Sequence, residues 1–293
     1  MFQTSNNFQA SSCKSLLTLL RGKRFVVLSG AGCSTDSGIP DYRGPDGRLR
    51  VRTPIQYRDF VRSSEVRKRY WVRSTIGWPV MSEAEPNPAH TALAKLEKAG
   101  LASGIITQNV DGLHQVAGSR QVVELHGSLA NVRCLECRSV FSRSGVQHTL
   151  VDLNREWLDK AETTAKKSDP RTAPDGDAEI STDTVRNFIV PECKACGGLL
   201  KPDVVFFGES VPAEYLSKAW SIFDKREVLL VVGSSLTVYS GRRFVYRASQ
   251  EKMPVGILTL GQTRGDELAS VKIEDGVGVV LPRLASSLIN RDS

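Results

Sequence analysis

The chain of 293 residues is 40% hydrophobic and 24% charged, and its 39 Lys and Arg against 32 Asp and Glu give a formal net charge of +7. This is ordinary globular composition with a basic excess, and the length suffices for one large domain or two unequal ones that need no disulfide for stability. The positive charge is too diffuse to indicate a nucleic-acid partner, and no apolar run approaches the roughly 20 residues that cross a bilayer. We therefore expect a protein that binds neither nucleic acid directly nor a membrane.

Apolar runs along the chain predict the strands of a parallel sheet. Runs rich in Val, Ile and Leu stand at Phe25–Ser29, Gly104–Thr107, Val228–Gly233 and Val255–Leu260. Their apolar character is continuous rather than alternating, which is typical of strands covered on both faces. Helical patterns lie between them, at 88–99 and 213–223. The alternation of strand and helix indicates a layered α/β fold.

Two segments interrupt this alternation. Residues 45–86 are rich in arginine and predict a helical insertion, and residues 131–200 contain both Cys-x-x-Cys pairs. Within the second segment, residues 163–183 are polar and rich in turn formers, which is typical of a long exposed loop. We therefore predict one larger domain, formed by residues 14–130 and 201–293, with a smaller domain inserted between its two parts.

A glycine-rich turn follows the first strand directly. Residues 30–35 are Gly-Ala-Gly-Cys-Ser-Thr, and the missing side chains allow backbone N–H groups and the N-terminus of a following helix to approach a phosphate. A dinucleotide is the natural ligand of such a turn. Thr35 replaces the third glycine of the dehydrogenase pattern, and no acidic residue closes a second strand about 20 residues further on, so a hydride-transferring dehydrogenase is disfavoured. A tight turn without a ligand explains the same residues.

Four of the six cysteines form two Cys-x-x-Cys pairs, Cys134 with Cys137 and Cys193 with Cys196. Each pair can clamp a metal from one turn, and two such turns supply four thiolates in a tetrahedron with no open position. This donor set predicts one structural zinc ion rather than a catalytic one. Free thiols, a redox pair and a zinc ribbon that binds nucleic acid are the alternatives, although the surrounding residues are not notably basic.

An amide and a carboxylate stand at the carboxyl end of the second predicted strand, where ligands bind in open α/β sheets. They are Asn109 and Asp111, in the segment TQNVDGLH at 107–114. Together they are suited to pair with a carboxamide such as nicotinamide. An Asx-turn that merely ends the strand is the alternative.

Three further motifs carry candidate chemistry. His126, in ELHG, is a candidate general base because an unperturbed histidine titrates near neutral pH, although a lone histidine is more often structural. Gly233-Ser234-Ser235 ends a buried strand and offers backbone and hydroxyl donors to a phosphate or a ribose. The segment 201–209 has the extended character that accepts a peptide as an added strand.

Taken together, these motifs resemble those of the sirtuins in order and spacing. The matching segments are GAGCSTDSGIPDYRG at 30–44, TQNVDGLH at 107–114, ELHG at 124–127, the four cysteines, KPDVVFFGE at 201–209 and GSS at 233–235, and the match covers about 25–282. PIQYRDFVRS at 54–63 and VYSGRRF at 238–244 resemble the class II branch that includes mitochondrial sirtuin four and its bacterial relatives. The resemblance implies a Rossmann-type parallel-sheet domain that binds NAD and a smaller inserted zinc-binding domain, with a cleft between them where NAD meets an acylated lysine.

The resemblance also implies a role for each matching residue. The NAD pyrophosphate is expected against Gly30, Ala31, Gly32 and Ser34, the mobile cofactor loop at Asp41, Tyr42 and Arg43, the nicotinamide carboxamide at Asn109 and Asp111, the ribose at Gln108, and the adenosine side at Gly233, Ser234 and Ser235. Also on the cofactor side, Thr259 stands where the family usually has Asn, and Val277 where class II relatives often have Cys, and their effect on cofactor affinity is open at this point. The peptide substrate is expected along Val204, Val205, Phe206, Phe207, Gly208 and Glu209.

The implied reaction consumes NAD rather than reducing it. In the family mechanism the acyl-lysine carbonyl oxygen attacks the ribose as nicotinamide leaves, and His126 then accepts a proton from the ribose hydroxyls, so His126, Asn109 and Asp111 are the expected catalytic residues. The products are free lysine, nicotinamide and O-acyl-ADP-ribose. We therefore predict an NAD-dependent protein-lysine deacylase of deacetylase or lipoamidase type. The alternatives are a protein mono-ADP-ribosyltransferase and a non-catalytic module that senses NAD.

The expected partners are proteins acylated on lysine, and we expect the chain to act as a monomer in the cytoplasm. The mitochondrial matrix is the alternative location, because residues 1–35 contain basic but no acidic residues. The preferred acyl group is open at this point. The arginine cluster between Arg48 and Arg73 either pairs with a carboxylate-bearing acyl group or forms a solvated basic surface.

Overall fold

The computed structural model describes residues 13–41, 54–165, 185–224 and 226–290. Tyr42 and Arg43 of the predicted cofactor loop lie outside these ranges, as does most of the loop predicted at 163–183.

Strands and helices follow one another along the chain largely as the sequence predicts. The strands are β1 (Phe25–Ser29), β2 (Ala102–Thr107), β3 (Val122–Glu124), β4 (Gly127–Cys134), β5 (Val140–Ser142), β6 (Leu200–Val204), β7 (Val228–Val232), β8 (Val255–Leu258) and β9 (Val271–Ile273). The helices are α1, which includes residues 13–20, α2 (Tyr57–Arg62), α3 (Ser64–Ser82), α4 (Pro88–Lys98), α5 (Leu113–Val116), α6 (Arg143–Leu153), α7 (Arg155–Ala165), α8 (Ala213–Phe223), α9 (Tyr239–Gln250) and α10 (Val277–Ile289). Among the residues that the structure describes, no helix combines the length and the apolar character that a membrane span requires.

Within the described ranges, six parallel strands form the larger sheet in the order β3-β2-β1-β7-β8-β9. This is the strand order of the Rossmann fold, in which the chain builds one half outwards from the centre and then returns to build the other. The predicted α/β class with a Rossmann-type parallel sheet is confirmed. The two halves meet between β1 and β7, so a ligand is expected beyond the carboxyl ends of these two strands.

Both faces of the larger sheet are buried, which explains the unbroken apolar runs. In β1, Phe25 and Val27 belong to the core beneath α1, α4 and α10. Val26 and Leu28 belong to the core on the other face, beneath α8 and α9. Successive residues of a strand point to opposite faces, so a strand covered on both sides needs an apolar residue at every position.

Three antiparallel strands in the described part of the chain form a second, smaller sheet in the order β5-β4-β6. Helices α2 and α3, which lie in the insertion predicted at 45–86, share the core of this sheet. Phe60 of α2 and Trp71 of α3 lie in one buried cluster with Val132 of β4. The two segments that interrupt the sequence pattern therefore pack on each other. The exact domain boundaries stay predictions.

A buried guanidinium joins these two segments. Arg143, the first residue of α6, is fully buried, and its guanidinium carbon lies 5.6 and 4.6 Å from the ring centroids of Trp71 and Trp78. One terminal nitrogen donates to the Ser74 carbonyl at 3.0 Å, and the other donates to Gln147 at 2.7 Å. Burial lowers the pKa of Arg143 to about 10, so the group stays charged at neutral pH. Aromatic faces and amide oxygens stabilise this charge at the junction.

The turn after β1 differs from the sequence-based expectation. Two short 3-10 helices, Ala31–Cys33 and Thr35–Ser37, follow the strand where an α-helix N-terminus is expected. The Gly32 N–H donates to the Gly233 carbonyl at 2.8 Å. This bond ties the chain to the turn after β7, and the chain does not continue as an α-helix. The expectation of a helix N-terminus at this turn is therefore wrong.

We expect a side chain at Gly233 to separate the two turns. Its φ is +60°, and a Cβ there would lie 2.4 Å from the Cys33 nitrogen, whereas Gly100 has a φ of +75° with nothing within 4 Å of its Cβ position. Gly100→Ala should lower the free energy of unfolding by about 1–2 kcal/mol through backbone strain alone. Gly233→Ala should lower it by about 1–3 kcal/mol more through the clash. Urea denaturation measures both variants, and equal losses would contradict the close approach of the turns.

Candidate functional site

The carboxyl ends of β1, β2 and β7 open into a cleft of about 980 Å³. The smaller sheet and α9 also line it. The cleft includes every predicted cofactor-binding and substrate-binding residue that lies within the described ranges. These are Gly30, Ala31, Gly32, Ser34, Asp41, Gln108, Asn109, Asp111, His126, Val204, Val205, Phe206, Phe207, Gly208, Glu209, Gly233, Ser234, Ser235, Thr259 and Val277.

Glycines allow the turns after β1 and β7 to touch. The Gly30 N–H donates to the Val232 carbonyl at 3.0 Å, and the Gly32 N–H donates to the Gly233 carbonyl at 2.8 Å. A Cβ at Gly30 would lie 2.8 Å from the Cβ of Ser234, and one at Gly32 would lie 2.9 Å from the Gly233 carbonyl oxygen. The Gly-x-Gly pattern therefore has a structural cause, and these two N–H groups are bonded within the protein. A phosphate at this turn stays a prediction.

Ser34, Asn109 and Asp111 form one hydrogen-bonded group at the cleft. Ser34 Oγ donates to Asp111 Oδ2 at 2.7 Å and accepts from Asn109 Nδ2 at 3.0 Å. Asn109 Nδ2 also donates to the Gly30 carbonyl at 3.1 Å, and the Leu113 N–H donates to Asp111 Oδ1 at 3.0 Å. Each Asp111 oxygen accepts one bond from the protein and retains a lone pair for a ligand. The group therefore offers oriented acceptors that match the N–H donors of a carboxamide.

Two histidines and a cysteine lie buried behind this group. Ligand atoms of Cys33, His90 and His114 lie within 4.8 Å of one another. The Asn87 N–H donates to His90 Nδ1 at 3.2 Å, so in the neutral ring Nε2 carries the proton, 3.5 Å from Ser34 Oγ. A protonated nitrogen is not a metal ligand, so His90 supports Ser34 instead of completing a metal site. Burial raises the pKa of the Cys33 thiol, which acts as a small packed side chain.

His126 reaches the cleft where the chain passes from β3 into β4. Its Nδ1 lies 2.9 Å from the Gln108 carbonyl oxygen, and its Nε2 lies 2.7 Å from Ser240 Oγ. A carbonyl oxygen only accepts, so Nδ1 carries the proton and Nε2 holds the lone pair. Burial lowers the pKa of the imidazole below its usual value, although the bond to the Gln108 carbonyl opposes this shift. His126 is therefore neutral at neutral pH, and Nε2 is its basic atom.

A glycine must follow His126 because another strand approaches the backbone there. Gly127 has a φ of +77°, and a Cβ at this position would lie 2.1 Å from the Asp203 carbonyl oxygen. Beside it, the Val205 N–H donates to the His126 carbonyl at 2.8 Å. The predicted peptide-binding segment is thus bonded directly to the backbone of the predicted base.

An ion pair shapes the segment 204–209. Lys201 Nζ lies 3.0 Å from Glu209 Oε2, and the two side chains are 7% and 26% exposed. The same carboxylate oxygen accepts from the Phe206 N–H at 2.9 Å, and the Phe206 ring packs 5.1 Å from the Tyr70 ring. Burial lowers the pKa of the Lys201 ammonium, whereas the charge of Glu209 opposes the shift. Glu209 therefore bonds within the segment, where its carboxylate links the Lys201 ammonium to the Phe206 backbone.

The four predicted zinc ligands form one cluster. The sulfurs of Cys134 and Cys196 are 3.5 Å apart, and those of Cys137 and Cys193 are 3.7 Å apart. All four sulfurs lie within 4.8 Å of one another. Tetrahedral zinc with Zn–S bonds of about 2.3 Å places its sulfurs about 3.7 Å apart, whereas a disulfide needs about 2.05 Å. The cluster therefore fits one structural zinc ion, which joins the turn after β4 to the segment before β6.

The described arginines of the cluster between 48 and 73 do not line the cleft. Residues 42–53 are outside the described ranges. In the described part of the cluster, Arg67 donates to the carbonyls of Phe60 and Val61 at 3.0 and 2.9 Å and so closes the turn between α2 and α3. None of the cluster's described arginines lines the cleft. For these residues the geometry favours a solvated surface over an acyl-binding site.

Two side chains that contact the predicted site carry no signal of this role in the sequence. Ser240, at the start of α9, contacts His126, and His90, in α4, lies beside Ser34. Each is far along the chain from the residue it contacts, so no spaced motif contains both. The segment VYSGRRF includes Ser240 but indicates no role for its hydroxyl.

Comparisons with known proteins agree with this geometry. Residues 30–240 match the model of the Sir2 family. NAD-dependent protein deacetylase 2 of Bradyrhizobium diazoefficiens is 48% identical over 255 residues, which are 87% of this chain and 90% of that protein. The NAD-dependent protein lipoamidase sirtuin-4, mitochondrial, of Homo sapiens is 47% identical over 263 residues, 89% of this chain and 81% of that protein. A solved structure of Sir2 bound to acetylated peptide has a TM-score of 0.69 at 30% identity, over 94% of this chain and 97% of that one. The chain belongs to the Sir2 family.

We expect purified protein to carry one zinc ion per chain, and Cys193→Ser to lose it, because three thiolates leave the tetrahedron open. The variant should also unfold at a lower temperature. Cys13→Ser removes a thiol outside the cluster and should keep both the zinc and the unfolding temperature. Elemental analysis and thermal unfolding measure these outcomes, and equal zinc content in the two variants would contradict the assignment.

Proposed function

We propose that the chain is an NAD-dependent protein-lysine deacylase, which transfers the acyl group of an acylated lysine to ADP-ribose and releases nicotinamide. Its membership of the Sir2 family supports this class of reaction. The observation that carries the proposal is His126, a neutral histidine with its lone pair on Nε2, which lines the same cleft as Asn109 and Asp111. NAD is a co-substrate that supplies ADP-ribose as the acyl acceptor and nicotinamide as the leaving group.

The cleft has the size and the donor set for these substrates. Its volume of about 980 Å³ lies at the upper end of the range for small-molecule sites, which suits a dinucleotide. Asp111 supplies acceptors for the nicotinamide carboxamide. Ser34 donates to the Asp111 carboxylate, and Asn109 in turn donates to Ser34. Gln108 Nε2 donates to Ser234 Oγ at 2.8 Å and so links the nicotinamide and adenosine sides of the proposed NAD site.

The segment 204–209 supports an acylated peptide as the second substrate. Extended peptides bind by adding a strand to an available backbone edge, and this segment continues directly from β6 and lines the cleft. Its Val205 N–H is bonded to the His126 carbonyl. A peptide added to the segment therefore brings its acyl-lysine to the His126 side of the cleft. Proteins acylated on lysine are the proposed partners, whereas the monomeric state and the cytoplasmic location stay predictions.

In the proposed reaction, His126 accepts a proton from the ribose hydroxyls of NAD at its Nε2 atom. The Gln108 carbonyl holds the imidazole in the required tautomer and then stabilises the imidazolium through the Nδ1–H bond. Burial keeps the ring neutral beforehand, so the lone pair is available at neutral pH.

The first test is nicotinamide release from NAD with lysine peptides that carry acetyl, lipoyl, glutaryl or hydroxymethylglutaryl groups, read by mass spectrometry. We expect release that depends on the peptide, together with O-acyl-ADP-ribose. His126→Ala should lower deacylation by at least about 100-fold, because general-base catalysis is lost. His148→Ala, an exposed histidine on α6, should leave deacylation unchanged.

Other outcomes of this test would overturn the proposal. Label from NAD on a protein without loss of an acyl group would indicate ADP-ribosyl transfer. No release of nicotinamide with any peptide would indicate an NAD-sensing module. Full deacylation by His126→Ala would exclude His126 as the base.

The pH dependence of kcat/KM should reflect the lowered pKa of His126. The base must be unprotonated, so the rate falls as the pH drops through the pKa of His126. Because burial lowers this pKa from the usual value of 6.5, the fall should begin below pH 6.5, and the rate should be flat near neutral pH. A fall centred above pH 6.5 that involves His126 would contradict the buried, neutral state.

A further inference from the structure

We propose that Ser240 is a further catalytic residue, which relays a proton from a substrate hydroxyl in the cleft to His126. The proposal rests on the deacylase function above, because it needs a ribose hydroxyl whose proton His126 accepts. The contact between the two side chains, the free lone pairs of the serine oxygen and the placement of α9 support it.

The Ser240 hydroxyl is hydrogen-bonded to Nε2, the basic nitrogen of His126. Ser240 Oγ lies 2.7 Å from Nε2, and Nδ1 lies 2.9 Å from the Gln108 carbonyl. Because the carbonyl requires the proton on Nδ1, Nε2 has only a lone pair, and the Ser240 O–H must be the donor in this bond. A substrate proton therefore reaches Nε2 either by displacing Ser240 or by passing through it.

Ser240 Oγ retains the capacity to accept. In the described part of the chain, His126 is its one hydrogen-bond partner, so both lone pairs of the oxygen remain for a donor. The residue lines the cleft, and 8% of it is exposed. A hydroxyl that donates to the base and accepts from the substrate can pass a proton between them without acquiring a charge.

The placement of Ser240 is determined by the residue that orients His126. Ser240 lies in the first turn of α9, and a Cβ at its neighbour Gly241 would lie 2.5 Å from Gln108 Oε1. The glycine thus allows α9 to pack against the Gln108 side chain, while the Gln108 carbonyl holds the imidazole. Both partners of the Ser240–His126 bond are therefore positioned against the same residue, which keeps the relay short and aligned.

The proton transfer balances without a further reactant. The substrate O–H bond breaks as its proton moves to Ser240 Oγ, and its electron pair stays on the substrate oxygen. The Ser240 O–H bond breaks at the same time, and its proton forms the new N–H bond at His126 Nε2. Ser240 ends as a hydroxyl, and His126 ends as an imidazolium whose Nδ1–H remains bonded to the Gln108 carbonyl.

The contact can be tested in the protein without NAD. Nitrogen-15 NMR of the imidazoles should assign His126 as the tautomer protonated at Nδ1, with Nε2 shifted by an accepted hydrogen bond. In Ser240→Ala the Nε2 resonance should move towards the value of an unbonded nitrogen. In Ser249→Ala, a control serine that is exposed on the same helix and does not line the cleft, it should stay in place. An unchanged Nε2 resonance in Ser240→Ala would overturn the proposal.

The relay predicts a specific kinetic effect. Ser240→Ala should lower the kcat of deacylation by at least about tenfold, since an aligned proton transfer is lost, with KM for peptide and NAD unchanged. Exchange of labelled nicotinamide into NAD, which precedes proton transfer to His126 in the family mechanism, should persist and so show that the variant is folded. The proton inventory in mixtures of light and heavy water should be curved for the parent enzyme, in which two protons move, and linear for Ser240→Ala. Ser240→Thr should recover most of the rate.

The outcomes separate this proposal from the function on which it rests. If the parent enzyme shows no NAD-dependent deacylation, the proposed function fails. If the parent enzyme deacylates but Ser240→Ala matches Ser249→Ala in kcat and in proton inventory, the relay alone is overturned. The same holds if Ser240→Thr is as slow as Ser240→Ala.

Discussion

The parallel pairing of β1 with β7 is the constraint on which the site depends. The strands pair residue by residue from Phe25 with Val228 to Ser29 with Val232, so they end at the same level and their glycine turns meet. Because both faces of β1 are buried, its residues alternate between two cores, and a slip of one residue would exchange the faces of every side chain. Packing far from the cleft therefore sets the position of both turns within it.

A second pair of strands connects the zinc cluster to the base. β4 runs from Gly127, beside His126, to Cys134, and it pairs with β6 from Val204 to Leu200. The cysteines lie at one end of this pair, whereas His126 and the segment 204–209 lie at the other. A bidentate bond from Arg133 to Asp203, at 2.8 and 2.7 Å, holds the pair together between its ends. A zinc ion held by the four cysteines would therefore stabilise the strands that present the base, from the end of the strand pair away from His126.

A backbone group determines which ring nitrogen carries the proton in each of two histidines, His126 and His90. A carbonyl, that of Gln108, faces His126 Nδ1 and leaves Nε2 as a base. An N–H group, that of Asn87, faces His90 Nδ1 and leaves Nε2 as a proton donor towards Ser34. The same side chain therefore serves as a proton acceptor in one place and as a support in the other, according to the single backbone group it meets.

The sequence by itself determined the features that are local in the chain. The unbroken apolar run of β1 predicts a doubly covered strand, the Cys-x-x-Cys spacing predicts the metal cluster, and the ordered motifs identify the family. The tertiary structure decided the 3-10 helices after Gly30, the core that α3 shares with the smaller sheet, and the contact of Ser240 with His126. These features depend on hydrogen bonds and packing between residues far apart in the chain, and such partners leave no periodic pattern near either residue.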